Sequence, residues 1–308
     1  MTILEEMLGC YPVRKTAVQK QAFRQYALEK AKEAGYKARV EECGRFLKHR
    51  NVVIGDPEHA AVIFSAHYDT PAVSLIPSLM IPRNPAVFYS WQLLVVVALL
   101  VVSAAVTTVL SLIIAQPAAV MWIFVICYLA LLMLLNYGPA NRQNANNNTS
   151  GVTALLQTMA AIPEDKRGKV AFILFDDSEQ GKQGSRAYAK AHLQVQCMKT
   201  VVNLNCVGVG EDVLVIGKKM ARLRPEYARL CAAMRAGTER SVHVLEGGVT
   251  TYTADHDSFQ CGVAVMTCKR TAGVGWYVPH LNTAKDTACD QGNLDFLTER
   301  FVAFADTL

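Results

Sequence analysis

Between Asn84 and Asn141 the chain contains no Asp, Glu, Lys, Arg or His, and this gap decides what the middle of the molecule can be. The stretch divides at Gln116-Pro117. Its first half, Phe88 to Ala115, is dense in Leu, Val, Ile and Ala, and its second, Ala118 to Leu135, is equally apolar. A helix needs about 20 residues to cross a ~30 Å hydrocarbon layer, with a usual range of ~17–25. The first segment is long enough to span with tilt, and the second is just long enough. Tyr89 and Trp91 at one end and Tyr137 at the other suit the interfacial positions where aromatic rings collect. Helices buried in a soluble core or at a dimer interface normally carry a polar stripe, and neither segment has one. The expectation is a transmembrane helical hairpin inserted over residues 84–140, meeting the lipid bilayer through residues 88–135. Two successive spans return the chain to the side it left, so 1–83 and 141–308 form one discontinuous domain. That side holds every Lys and Arg, which favours the cytoplasm.

Outside the hairpin the sequence has the mixed charge of an ordinary globular domain. The formal charge of +5 over 308 residues is spread along the chain rather than gathered into a basic stripe, so a nucleic-acid partner is not expected. Nine cysteines lie between Cys10 and Cys289 with no CxxC spacing, the usage of reduced thiols rather than a disulfide framework. Residues 1–20 mix charges with short apolar runs and lack the continuous apolar core of a secretory signal.

The globular part alternates strand and helix patterns. Helices are predicted over Thr16–Ala34, Gly151–Ala161, Ser185–His192, Arg222–Ala236 and Leu294–Thr307. Strands are predicted over Lys37–Cys43, Asn51–Ile54, Ala60–Ala66, Lys169–Phe175, Thr200–Asn205 and Val263–Thr267, several of them apolar runs suited to burial on both faces. This order predicts an α/β three-layer sandwich with a mostly parallel central sheet. In such sheets chemistry sits in the loops beyond the carboxyl ends of the strands. The polar clusters His67-Tyr68-Asp69, Asp176 to Glu179 and Asn203 to Asn205 all fall there.

His67 and Asp69 stand two apart at a strand end, where a carboxylate can fix the tautomer of a metal-binding imidazole. Four further segments follow in order: Ala145-Asn146-Asn147-Asn148-Thr149-Ser150-Gly151, then Ser178-Glu179-Gln180-Gly181-Lys182-Gln183-Gly184-Ser185, Leu204-Asn205-Cys206-Val207-Gly208 and Asp255-His256-Asp257-Ser258-Phe259. Asn282-Thr283-Ala284-Lys285-Asp286-Thr287 closes the series. Together these segments resemble the motifs of family-28 metallopeptidases, the zinc aminopeptidases of the bacterial leucyl-aminopeptidase type. Glutaminyl cyclases and the transferrin receptor ectodomain are relatives of that family. The resemblance covers residues 50–308 apart from the hairpin.

The resemblance implies two zinc ions, but it must be carried over position by position. His67 matches a zinc ligand, Asp69 the carboxylate that orients it, and Glu179 a ligand of the other zinc. Asn147 stands where the family has the bridging Asp, and Ser178 where it has the general-base Glu. Asn205 replaces a ligand Asp and Asn282 a ligand His. An amide oxygen is a weak, uncharged substitute for a carboxylate or imidazole, and the base alone is commonly worth ~10²–10⁴ in rate. Asp177 and His280, each two residues from a substituted or retained position, are candidate replacements. Asp255 and His256 are expected to be structural hydrogen-bonding residues, and Cys206 and Cys268 buried apolar thiols. Three readings stay open. The chain is a membrane-tethered homologue with impaired chemistry whose fold serves binding of a peptide or protein ligand, as in the transferrin receptor; an active aminopeptidase with a rearranged site; or a protein in which the hairpin itself is the functional part.

Overall fold

The computed structural model describes residues 1–114, 116–245 and 250–308. Ala115, the last residue of the first expected span, lies outside them. Two N-terminal helices, α1 (Ile3–Cys10) and α2 (Ala17–Glu33), each begin in a reciprocal capping box, Thr2 with Glu5 and Thr16 with Gln19, which satisfies two otherwise unpaired N–H groups per helix. Strands β1 (Ala38–Cys43), β2 (His49–Ile54) and β3 (Val62–His67) follow, and then the hairpin helices α3 (Pro85–Ser111) and α4 (Pro117–Tyr137). The second half contributes α5 (Gly151–Ala161), β4 (Val170–Phe175), α6 (Gln183–Ala191), α7 (Leu193–Met198), β5 (Thr200–Leu204), β6 (Asp212–Gly217), α8 (Pro225–Arg235), β7 (Val242–Leu245), β8 (Gly262–Thr271), β9 (Gly275–Tyr277) and α9 (Gln291–Asp306).

Among the described residues the strands form one sheet in the order β1-β2-β4-β3-β5-β8-β6-β7, with β9 on the far end of β8. The run β4-β3-β5-β8 is parallel, while β1-β2, β2-β4, β6-β8 and β8-β9 are antiparallel. The parallel centre is as expected; the sheet as a whole is mixed, because β2 and β6 run against the strands of that centre. The apolar runs β3, β4 and β5 are buried along their whole length, as strands covered on both faces must be. Strands β6, β7 and β9 are not predicted from the sequence because each is short, and His243 interrupts the apolar residues of β7. Strand β3 precedes the hairpin in sequence yet lies between β4 and β5, which follow it, so both parts of the chain share one core. Helices α1, α2, α5, α8 and α9 bury their apolar side chains against one face of the sheet around Phe64, Phe172, Phe301 and Phe304, and α6 packs on the other face with Phe175 and Tyr188.

Both hairpin helices are long and apolar enough to cross a membrane. Leu99, Ser103 and Thr107, spaced by four, form the buried stripe of α3, and α4 packs against α3. Ser103 and Thr107 donate their hydroxyls to the carbonyls of Leu99 and Ser103 at 2.8 and 2.7 Å, so the polar atoms are satisfied inside the helix. Elsewhere the hairpin exposes apolar surface, with Leu93 64%, Ile126 62% and Leu129 52% accessible. At its base Trp91 Nε1 donates to the Pro77 carbonyl at 3.1 Å, Lys15 Nζ to that of Gly138 at 2.7 Å, and the amides of Val73 and Asn141 bond to Pro139 and Pro71. These contacts seat the hairpin against the carboxyl ends of the parallel strands.

Candidate functional site

The loops leaving β3, β4 and β5 are shaped by groups that bond backbone. Gly184 is one requirement: a Cβ there would lie 2.2 Å from the Asp176 carbonyl oxygen, so only glycine lets α6 start beside the end of β4. The side chains of Asn146 and Asn148 reach across loops. Asn146 Oδ1 accepts the Gly208 N–H at 2.8 Å, and Asn148 links the His67 and Leu204 carbonyls to the Cys206 N–H at 3.3, 3.1 and 3.1 Å. Asp286 takes the N–H groups of Asn146 and Asn147, each at 3.0 Å. Arg14, fully buried, ties the Tyr68 and Tyr11 carbonyls and the Thr149 hydroxyl together at 2.5, 2.6 and 3.0 Å. Burial lowers its pKa to about 10, still far above neutrality. No motif points to Arg14 in the sequence, because two of these three contacts reach residues more than fifty positions away.

These loops bring His67, Asn147, Ser178, Glu179, Asn205 and Asn282 to the wall of one cavity of about 340 Å³. Asp69 lies behind it. Its two oxygens accept the backbone N–H groups of Ser178 and Glu179 at 3.0 and 2.9 Å, and His67 Nδ1 lies 3.2 Å from Oδ1. The Asp69 carboxylate thus aims both the imidazole and the loop that carries Glu179. Burial works against its charge, but His67 and these bonds outweigh it and hold its pKa below the ordinary value. Burial would also lower the pKa of His67; the bond to Asp69 and the nearness of Glu179 reverse that and raise it to about 9. Glu179 goes the other way, pushed up to about 7 by burial against the pull of His67.

The substituted positions bond to each other. Asn147 Nδ2 donates to Glu179 Oε1 at 3.0 Å and to Asn282 Oδ1 at 2.7 Å. Its oxygen receives the Cys206 thiol at 3.5 Å, and the same thiol lies 3.0 Å from Asn205 Oδ1. With Asn282 Oδ1 and an ionised Glu179 as the neighbouring acceptors, this orientation of the Asn147 amide satisfies both, and the flipped one would face its oxygen toward them. Ser178 Oγ donates to Asp255 Oδ2 at 2.9 Å. His67 Nε2 and Glu179 Oε1 are 3.9 Å apart. Among the described residues no three His, Cys, Asp or Glu ligand atoms converge in this cavity; they do so only at Glu41, Cys43 and His192, on β1 and at the end of α6.

The two candidate replacements do not reach the cavity. The strand ends at Phe175, so the alternation that would put Asp177 beside Glu179 is broken; Asp177 has φ of 49° and turns away to His49, at 2.7 Å, and to Lys20. His280 is exposed, and neither residue lines the cavity. Asp255 and His256 are buried, with Ser178 bonded to the first and the ring of Tyr252 stacked on the second at 5.5 Å. Cys268 is buried as expected. Cys206 is buried too, but it bonds two site amides, which residue type alone does not reveal. Tyr252 of the cavity wall, and Phe88 and Gln92 of α3, also went unrecognised, since nothing local marks an aromatic or amide residue as facing a distant loop.

A sequence profile of peptidase family M28 matches residues 135–301, more than half of the chain. The chain belongs to family M28. Solved structures agree on the fold. A glutaminyl cyclase from Porphyromonas gingivalis aligns with a TM-score of 0.62 at 15% identity, covering 99% of this chain and 96% of that one. A Zn-dependent exopeptidase from Parabacteroides distasonis aligns at 0.58 and 16%, covering 96% and 91%. The LapA aminopeptidase of Legionella pneumophila aligns at 0.58 and 14%, covering 99% and 68%. Identities this low establish the M28 architecture only. No curated protein sequence matches the chain.

Proposed function

We propose that this M28 chain is a membrane-anchored binding protein whose cleft does not perform two-zinc hydrolysis, with its sheet domain on the cytoplasmic side of the bilayer. The observation that carries the reading is the Asn147 amide, which donates to both Glu179 and Asn282. Two zinc ions would need a bridging carboxylate at that point and anionic or imidazole donors around it. The residues present do not fit such a centre: amides stand at 147, 205 and 282, and hydrogen bonds among them join groups that a cation would otherwise link. At the general-base position the Ser178 hydroxyl is spent as a donor to Asp255 and offers no base. The membrane anchor is supported by two uncharged helices with apolar surface facing outward.

The test uses the full chain purified in detergent, with zinc measured by mass spectrometry and hydrolysis of leucine p-nitroanilide followed with and without added zinc. The expected outcome is no turnover, and zinc content unchanged by Glu179→Ala. Stoichiometric zinc together with turnover, both lost in Glu179→Ala, overturns the proposal.

A further inference from the structure

The cleft does not end at the sheet. A second cavity, of about 260 Å³, opens between the hairpin helices and is walled by Val95, Leu99, Leu132 and Leu135 among others. Ser78, Gln92, Glu179 and Asn282 line both cavities, so the cleft and the groove meet at a shared wall. The residues beyond that wall differ on its two sides. At the cleft end, Glu179 Oε1 receives Asn147 while Oε2 has no hydrogen-bond partner among the described residues. The phenol of Tyr252, which lines the same cavity, has none either. At the other end the walls belong to helices whose outward faces are apolar and exposed.

The geometry points to a single-chain membrane amphiphile as the ligand: an acyl chain in the groove between α3 and α4, and a hydrogen-bond-donating head, uncharged or cationic, at Glu179. This rests on the reading of the chain as a membrane-anchored binding protein and names what it binds. A peptide would leave the groove unfilled, and a wholly apolar molecule would leave Glu179 Oε2 without a partner in a half-buried site. Charge selects the head. Glu179 is the carboxylate on the cavity wall, while Asp69 and Asp255 lie off it; the charge of His67 is offset by Asp69 at 3.2 Å, and that of Lys182 by Asp257 at 2.9 Å. An anionic carboxylate or phosphate head would set acceptor oxygens against the open Oε2 of Glu179. A glyceryl hydroxyl, a primary amide or an amine donates to it.

The experiment reconstitutes the full chain in phosphatidylcholine vesicles and checks by flotation that it inserts. The vesicles carry a monoacylglycerol probe with a diazirine in its acyl chain, and labelled residues are mapped after photolysis. Labelling is expected at Val95, Leu99, Leu132 and Leu135, competed by unlabelled monoacylglycerol. Val95→Trp and Leu135→Trp, each filling the groove from one wall, should raise the competitor concentration needed by roughly tenfold, as Glu179→Ala should by removing the head's partner. A diazirine fatty acid, anionic at its head, should label the groove at least roughly tenfold less. Uniform labelling of the outward residues Leu93 and Leu129, without competition, marks annular lipid only and overturns the proposal. Equal labelling by the fatty acid overturns the assignment of the head. Failure of flotation overturns the membrane anchor itself, and turnover of leucine p-nitroanilide overturns the loss of catalysis while leaving the groove result to stand separately.

Discussion

Asn146, Asn147 and Asn148 are consecutive and chemically identical, yet they serve two regions of the site. The outer two turn into the protein and bond backbone, Asn146 to Gly208 and Asn148 to the ends of β3 and β5. The middle one turns into the cavity and bonds side chains, Glu179 and Asn282. The same division runs through the whole cleft. Asp69 and Asp286 each accept two backbone N–H groups and so hold loops. Asn147, Ser178, Asn205 and Asn282, with His67 and Glu179, face the cavity. Groups that hold loops and groups that face the cavity therefore stand side by side, even at adjacent positions. Keeping a site's shape requires only the first set.

The largest expected effect comes from breaking the inward set. Replacing Asp69 by Ala removes acceptors from two half-buried N–H groups and the counter-charge of a buried imidazole. Losing one partner of a buried pair typically costs ~3–5 kcal/mol. Urea unfolding in detergent micelles should show a loss of that size. A change below about 1 kcal/mol, the ordinary range for an exposed pair, would place Asp69 among residues dispensable to the fold and dissolve the distinction.

His256 tests the inward set through pH. Burial, outweighing Asp257, lowers its pKa to about 4, so the folded protein keeps the ring neutral. The unfolded chain takes up a proton near the ordinary value of about 6.5. Its contribution to stability is therefore fully present above about 6.5 and is lost as pH falls toward 4, on the order of 3 kcal/mol in total. His256→Phe keeps a ring against Tyr252 and removes the titration. Stability measured from pH 7 down to pH 4.5 should fall less in this variant than in the wild type; parallel curves would show that the imidazole protonates in place.

The two regions also differ in how far the sequence reveals them. The parallel centre of the sheet was legible because β3, β4 and β5 are unbroken apolar runs, and the hairpin because it lacks charge. The cavity-facing set was legible through motif spacing alone: all six positions meet on one wall. What could not be read was direction. Asp177 looked like a neighbour of Glu179, but a backbone φ of 49° just past the strand end turns it toward Lys20 and His49. Arg14 and Tyr252 sit in no recognisable pattern, since they act by reaching elements distant in sequence. The shared wall of the cleft and the hairpin groove needs two separately legible parts placed against each other, and a linear pattern does not carry that placement.

Asn147→Asp has the smallest expected effect and separates the two sets most sharply. An Asp in the same pose would put a carboxylate oxygen where the amide nitrogen now lies, 3.0 Å from Glu179 Oε1. Two carboxylates that close cannot both ionise freely, so one holds a proton well above its ordinary range. At pH 8 the variant should be less stable than the wild type by about 1–3 kcal/mol, the usual cost of a buried polar mismatch. At pH 5, where the pair shares a proton, most of that loss should disappear. Millimolar zinc should raise the melting temperature of the variant and leave the wild type unchanged, since only a ligand bound to the folded state shifts stability by mass action. A wild-type shift of equal size, itself lost in Glu179→Ala, would mean that the amide at 147 still admits a cation and that the cavity-facing set has kept more of its chemistry than its hydrogen bonds indicate.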